Sequence, residues 1–426
     1  MKELSLLLLL VGSSTAWVPT HVPSHGCSRL NPLNVASDVQ QDVQYALYFE
    51  NQRALTQQAE IETEWMGELP DLESYSQMVP AKAAEAALRK RVKQRTKKQK
   101  KVPAGKGFGG GGGGKAARPA LPPISREAAA LGISQAAVLE EQGVVRINGA
   151  LSRESTAILR ATVLEERAAA EAAVAEGMSS SKRFGDLMLS GKRRDVLLPL
   201  ADAPGAPAVV AALEELFGPE GTLLGLYDAL VGESAVLYEL AALVSEPGAV
   251  QQTIHADMPY QNQCALYTGF MALQDIEPHM GPTTFVPHTH VAEAHDKLAA
   301  DISVREEFLS SAGARIALLR AGDIAIFDSR ALHAGGANHA ELGSTRALFY
   351  FSITNPDAGK FETGTNMASI RPGYAAVPID LGQLRRGISE AAPFSDRGDG
   401  LGPEGDELTT KRDAYRRKRN TPDGCL

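Results

Sequence analysis

The residues best suited to chemistry in this chain are His255, Asp257, His333 and Arg346. His255-Ala256-Asp257 sets an imidazole and a carboxylate two positions apart. On a β-strand, positions i and i+2 project from one face, so both side chains can reach a single ion. His333 follows Asp257 after 76 residues, just beyond the run Gly322-Asp323-Ile324-Ala325-Ile326-Phe327-Asp328, and can supply a third ligand from across a barrel. Two imidazoles and one carboxylate on one side of an ion leave three coordination positions open, an arrangement suited to a non-haem Fe(II) oxygenase. Thirteen residues after His333, Arg346 opens the run Arg346-Ala347-Leu348-Phe349-Tyr350-Phe351-Ser352-Ile353. If Leu348 and Tyr350 face a barrel interior, Arg346 does too. A guanidinium among apolar side chains is costly unless it meets an anion, and its planar fork suits a carboxylate. A dicarboxylate co-substrate that chelates the metal at one end and meets Arg346 at the other satisfies both demands.

Each of the four residues also has a structural reading. The histidines could be hydrogen-bonded core residues, Asp257 a strand-end cap, and Arg346 a surface partner of Glu341. Two histidines and a carboxylate also suit zinc, so a metal-dependent hydrolase is a competing function, and so is a catalytically silent barrel that binds a ligand. Arg346, placed for a second carboxylate, argues against the hydrolase; the complete ligand set argues against the silent barrel.

The elements that must position these residues fall in two groups. Residues 134–142, a long helix capped by Ser152, and residues 206–217 and 233–244 read as helices, with a strand at Val144-Val145-Arg146-Ile147 turning at Asn148-Gly149. From about residue 250, short β-like runs follow one another at 250–255, 264–273, 283–287, 314–320, 323–327 and 346–354. Helices first and strands after indicate an α+β domain built round a sandwich or barrel.

Charge is unevenly distributed around that domain. Basic residues exceed acidic ones 15 to 10 over residues 18–120, acidic exceed basic 29 to 16 over 121–356, and the remainder to 426 is balanced. A hydrophobic content of 44% excludes a wholly disordered chain, and no apolar run is long enough to span a bilayer. Cys27, Cys264 and Cys425 are too scattered for a disulfide framework or a thiolate metal site, so any metal falls to His and carboxylate. Residues 1–16 read as a signal peptide. Trp17-Val18-Pro19 and the acid-free stretch that follows give residues 17–37 the pattern of a plastid transit segment in an alga with a secondary plastid, with the secretory pathway or endomembrane lumen as the alternative. Residues 38–124 read as a linker containing a basic arm, nine basic residues in thirteen over 89–101, and the glycine tract 109–114. The arm could contact polyanions, but no aromatics are interleaved for base stacking, so sequence-specific nucleic-acid recognition is not expected. The tract fails as a phosphate loop because Ala116 stands where Ser or Thr is required. Residues 357–426 read as a tail without assigned chemistry. Arg193 and Arg194 read as loop residues able to meet an anionic substrate or to serve a surface role.

Over residues 125–356 the chain resembles the phytanoyl-CoA dioxygenase family. Gly143-Val144-Val145 with Leu151-Ser152 resembles its opening strand and helix, and Ile254-His255-Ala256-Asp257 its HxD strand. Residues Gly281 to His290 are similar to its Pro-Gly-Ser-His segment, and His333-Ala334-Gly335-Gly336-Ala337-Asn338 to its distal-histidine loop. The resemblance implies a double-stranded β-helix, a jelly-roll or cupin-like barrel, with flanking helices. It also implies Fe(II) held by His255, Asp257 and His333, with 2-oxoglutarate anchored by Arg346, O2 as oxidant, and hydroxylation of a small-molecule or lipid-like substrate. Two departures bear on the substrate pocket: His288 stands where the family usually has Gly, and Phe270 where many members have Trp. His288, His290 and His295 also form a second histidine-rich stretch that could bind a metal.

Overall fold

The computed structural model describes residues 69–101, 121–185, 192–359, 368–375, 378–387 and 398–401. The signal and transit segments read over 1–37, the glycine tract 109–114 and Cys425 lie outside the described residues.

The described strands form two antiparallel sheets. The larger has the order β1 (Val144–Ile147), β7 (Ile324–Asp328), β4 (Leu266–Ala272), β9 (Arg346–Thr354), β3 (Val236–Ser245), β10 (Ile379–Asp380), with β2 (Arg193–Leu197) also paired to β3. The smaller has the order β6 (Arg315–Ile316), β5 (Thr283–Val286), β8 (Leu332–Gly335). Along β9 the two-residue period divides the side chains cleanly. Ala347, Phe349, Phe351 and Ile353 join the core under the helices, while Leu348 and Tyr350 join Phe270, Phe285 and Phe327 between the sheets. Phe285 of β5 and Phe327 of β7 sit 5.2 Å apart, closing the two layers on one aromatic interior. The fold is the α+β double-stranded β-helix that the resemblance implies. On its outer face, α2 (Arg126–Gln142) and α4 (Ala206–Phe217) pack against the larger sheet, Phe217 meeting Phe351 edge to face at 5.1 Å. Ser125 caps α2 and Ser152 caps α3 (Arg153–Ala175) through backbone N–H groups three residues on.

Several sequence readings are corrected. Residues 233–244 are not a helix but most of β3. Their Leu, Ala and Glu content favours helix locally, yet the segment is hydrogen-bonded to β9 on one side and β2 on the other. Strand β2 was unanticipated because Lys192-Arg193-Arg194-Asp195 carries no apolar alternation. Residues 250–255 form no continuous strand; only His255 pairs. Two helices unanticipated from sequence, Ala292–Ala299 and Ile302–Ser311, lie between β5 and β6.

The ends of the sequence-read domain also move outward. Within the supposed linker, Leu72–Ser76 forms a 3-10 turn with Leu72 fully buried, and Asp71 joins Asp323 in ion pairs to the buried Arg146. The basic arm belongs to α1 (Lys82–Lys101), which packs on the domain through Leu88 while Arg95 donates to the carbonyls of Asp228, Ala229 and Leu230. The supposed tail returns to the core: Arg371 and Tyr374 are buried, and Arg371 and Arg183 both pair with the buried Glu166. Among the described residues, no helix is long and apolar enough to cross a membrane.

Candidate metal centre and anion pocket

His255 and His333 are direct cross-strand partners rather than residues meeting across the barrel. Each backbone N–H donates to the other's carbonyl, at 2.9 and 2.8 Å, so the two rings leave the same side of the ladder with centroids 4.6 Å apart. The backbone also sets the tautomers. His255 Nδ1 lies 2.7 Å from the Thr253 carbonyl and His333 Nδ1 lies 3.1 Å from the Ala331 carbonyl. A carbonyl only accepts, so Nδ1 carries the proton and Nε2 presents its lone pair. Both Nε2 atoms face Asp257 Oδ1, at 3.8 Å from His255 and 3.4 Å from His333. One ligand atom from each of the three residues lies within 4.8 Å of the others. Donors bound at about 2.1 Å to one ion sit roughly 3 Å apart, so a small inward movement completes the site.

The electrostatics agree with a cation site. Burial, reinforced by His333, pushes His255 down to about 4 and keeps it neutral. At His333 burial also favours the neutral ring, but the charge and hydrogen bond of Asp257 prevail and raise its pKa. Burial works against ionisation of Asp257, yet the two imidazoles hold its carboxyl below the usual range. Around the triad the wall is aromatic: Phe285 stacks on His333 at 5.9 Å, with Phe327 at 4.7 Å and Phe270 at 6.2 Å.

Arg346 heads β9 opposite Ser245 of β3, which in turn faces Arg193 of β2, so the three form one row on the inner face of the sheet. Arg346 is fully buried, and its Nε, Nη1 and Nη2 have no hydrogen-bond partner among the described residues. The same holds for Ser245 Oγ and Arg193 Nε. Burial, then repulsion from Arg193, pushes Arg346 down to about 9; burial brings Arg193 to about 10. A buried cation with unused donors is retained at a cost of several kcal/mol, and it describes an anion pocket. The surface pairing of Arg346 with Glu341 is therefore corrected. So is the loop reading of Arg193, which lies within β2 and donates to the carbonyls of Gly335 and Gly336. Arg194 has the surface role, paired with Glu171 at 3.3 Å.

Residues 139–344 match the family model described as phytanoyl-CoA dioxygenase (PhyH). This domain belongs to the phytanoyl-CoA dioxygenase family. The match stops two residues short of Arg346, whose assignment rests on its own burial and unused donors. Similar solved structures include the epimerase SnoN in complex with Fe3+, alpha ketoglutarate and nogalamycin RO, at 24% identity, covering 54% of this chain and 85% of that one, TM-score 0.38. The non-heme alpha ketoglutarate dependent carbocyclase SnoK from nogalamycin biosynthesis shares 22% identity over 56% of this chain and 87% of its own, TM-score 0.38. AviO1 from Streptomyces viridochromogenes Tue57 shares 21% identity over 53% of this chain and 95% of its own, TM-score 0.37. No curated protein matches the chain.

Within this phytanoyl-CoA dioxygenase domain the two departures from the family pattern have structural contexts. His288 occupies the left-handed region at φ 64, a conformation that glycine adopts without strain, which accounts for the usual Gly. Phe270 lines the interior edge to face with Phe327 and Tyr350. The second histidine group does not assemble. His288 meets the Glu141 carbonyl, His290 that of Glu140 and His295 that of Arg330, and among the described residues the one set with metal-binding spacing is His255, Asp257 and His333. Sequence reasoning missed Glu239, Ser352 and Thr268, a polar row on the same inner face; the helical reading of residues 233–244 hid it.

Proposed function

We propose that this domain is an Fe(II)- and 2-oxoglutarate-dependent dioxygenase that hydroxylates a small-molecule or lipid-like substrate. The observation that carries the reading is Arg346, a fully buried cation with three unused donors on the same lined interior as the histidine-carboxylate triad. An unpaired buried guanidinium near a metal-binding triad is what a dicarboxylate co-substrate would need.

His255, Asp257 and His333 would hold the iron, their Nε2 and carboxylate atoms already converging. Bound iron, with 2-oxoglutarate and O2, supplies the oxidising power that converts a C–H bond to an alcohol. Arg346 receives the far carboxylate of 2-oxoglutarate through charge-assisted bonds, which fixes the co-substrate's orientation. Ser245 Oγ, in the same row and without a partner among the described residues, adds a neutral donor. The carbonyls of Thr253 and Ala331 keep both imidazoles aimed through Nδ1. Phe270, Phe285 and Phe327 exclude water beside His333. Asp257, a carboxylate rather than a small residue, fills the position that a halide would need, which favours hydroxylation over halogenation.

The reading is tested by 2-oxoglutarate turnover. Purified protein given Fe(II), 2-oxoglutarate and air should release succinate, and Asp257→Ala should not. Succinate release unaffected by Asp257→Ala would overturn it. We infer from the leader a plastid destination, tested by a fluorescent fusion of residues 1–37. We also infer a polyanion-binding role for the exposed Lys90, Lys93 and Lys97 of α1, tested by salt-dependent retention on heparin.

A further inference from the structure

The interior of the barrel is electrically polarised. Its inner-face residues on β9 run Arg346, Leu348, Tyr350, Ser352. Arg346 and Arg193 define a cationic end. Six residues along the strand, roughly 20 Å away, lies a second row in which Glu239 of β3 faces Ser352 of β9, and Ser352 faces Thr268 of β4. This row continues to Phe327 of β7, whose ring lies 4.7 Å from that of His333. The metal triad lies between the two ends: Phe327 beside His333 continues the Glu239 row, while Arg193 donates to the carbonyls of Gly335 and Gly336, two and three residues on from His333.

Glu239 reaches that face through a specific device. Leu237 pairs with Ile353 on the outer side, and two residues on Glu239 should point outward as well. The register shifts between them, a bulge at Tyr238, and it turns Glu239 inward opposite Ser352. Its carboxylate accepts from Ser352 Oγ and from the Ser369 N–H, while Ser352 Oγ also meets Thr268 Oγ1. Glu239 is half-buried and has no ion pair with a basic side chain among the described residues. The nearby Asp195 is committed to Tyr350 and Ser369. Burial, with the charges of Asp257 and Asp195 added, pushes the Glu239 carboxyl up to about 7 despite its hydrogen bonds. A cation held by the triad would offset Asp257 and leave the second carboxylate uncompensated.

We propose that Glu239, steadied by Ser352 and the Ser369 backbone, is the specificity-determining residue of the site and that the substrate is a small molecule bearing a protonated amine. The proposal rests on the Fe(II)/2-oxoglutarate reading: the anionic co-substrate takes the arginine end, and the opposite charge is left for the substrate. A carboxylate-bearing or acyl-CoA-like substrate would meet Glu239 unfavourably at the same place.

The experiment uses the full chain loaded with Fe(II) and 2-oxoglutarate. A panel of primary alkylamines and arylalkylamines is compared with each amine's N-acetylated and carboxylate counterpart, reading substrate-stimulated succinate release and hydroxylated product. Amines should be preferred over their acetylated counterparts by about tenfold or more in kcat/KM, since a hydrogen bond to a charged group is at stake. Glu239→Gln, which keeps the shape but removes the charge and turns one acceptor oxygen into a donor, should collapse that preference towards one, largely through KM. Its fold is checked by circular dichroism, and the wild-type comparison stands without it. Equal stimulation by amine and acetylated counterpart, a preference for carboxylates, amines that are silent across the panel, or a preference kept in Glu239→Gln would each overturn the proposal. Succinate released in the absence of any panel member separates the two claims: when it is present the parent reading stands and only the substrate assignment is at risk.

Discussion

Replacing Arg346 by Met should stabilise the protein without co-substrate while destroying its affinity for 2-oxoglutarate. The Arg346 guanidinium is fully buried, with its three nitrogens unpartnered among the described residues. Its pKa falls from the ordinary guanidinium value to about 9, and at about 1.4 kcal/mol per unit this difference is a ceiling near 5 kcal/mol on the cost of holding the charge there. The sign follows from linkage. From about 9 up to the ordinary guanidinium value the unfolded chain holds the proton more readily than the folded one, so below that window the penalty is present in full. Met has similar bulk and no charge, and recovering roughly half the penalty would raise stability by about 2 kcal/mol, or on the order of 5 °C in Tm for a domain of this size. Against that gain, two charge-assisted bonds to the co-substrate carboxylate are lost, about 3 kcal/mol together, which weakens binding at least a hundredfold. Differential scanning fluorimetry, with Mn(II) in place of iron and with and without 2-oxoglutarate, reads both effects. Wild type should melt lower than Arg346→Met alone and rise on adding 2-oxoglutarate; the variant should not respond. A variant that melts lower in both conditions and still responds to 2-oxoglutarate would refute the reasoning.

Three further predictions follow from the same geometry. Asp257→Ala should abolish hydroxylation and the upward shift in Tm that divalent metal gives the wild type; metal-dependent stabilisation that survives the change would remove Asp257 from the ligand set. His255, held neutral down to about 4, should make the metal-free protein lose stability as pH falls from about 6.5 towards 4, because the unfolded chain takes up a proton that the folded one refuses. In His255→Gln that acid-side loss should be shallower, measured by urea unfolding across the pH series. Glu166→Gln should cost about 3 kcal/mol in the same assay, since it leaves Arg183 and Arg371 without their shared carboxylate in a buried place; a loss below about 1 kcal/mol would show that the returning C-terminal segment is not held there.

The convergence of His255, Asp257 and His333 was legible because histidine and carboxylate are chemically conspicuous side chains, and an HxD step followed by a later histidine suggests a shared ion. The ladder between His255 and His333 was not, since neither lies in a run long enough to advertise a strand: His255 pairs as an isolated bridge. The inward face of Arg346 could be read from the alternation of β9, but its lack of a partner could not, because that depends on Ser245 and Arg193 arriving from β3 and β2. Strand β3 was hidden by its own composition. Leu, Ala and Glu over Val236–Ser245 favour a helix locally, and only pairing on both sides makes the segment a strand. The packing of α1 and of residues 368–375 and 378–386 was hidden for a different reason. A basic or glycine-rich neighbourhood reads as linker, while what docks these segments is a few buried anchors, Leu72, Leu88, Arg371 and Tyr374.

The most direct test of the central claim is an anaerobic titration of the protein with Fe(II) and 2-oxoglutarate, followed in the visible range. The account predicts a weak charge-transfer band that needs both components, is lost in His333→Ala, and requires far more 2-oxoglutarate in Arg346→Met. Wild-type protein that binds Fe(II) yet shows no band at saturating 2-oxoglutarate would contradict it.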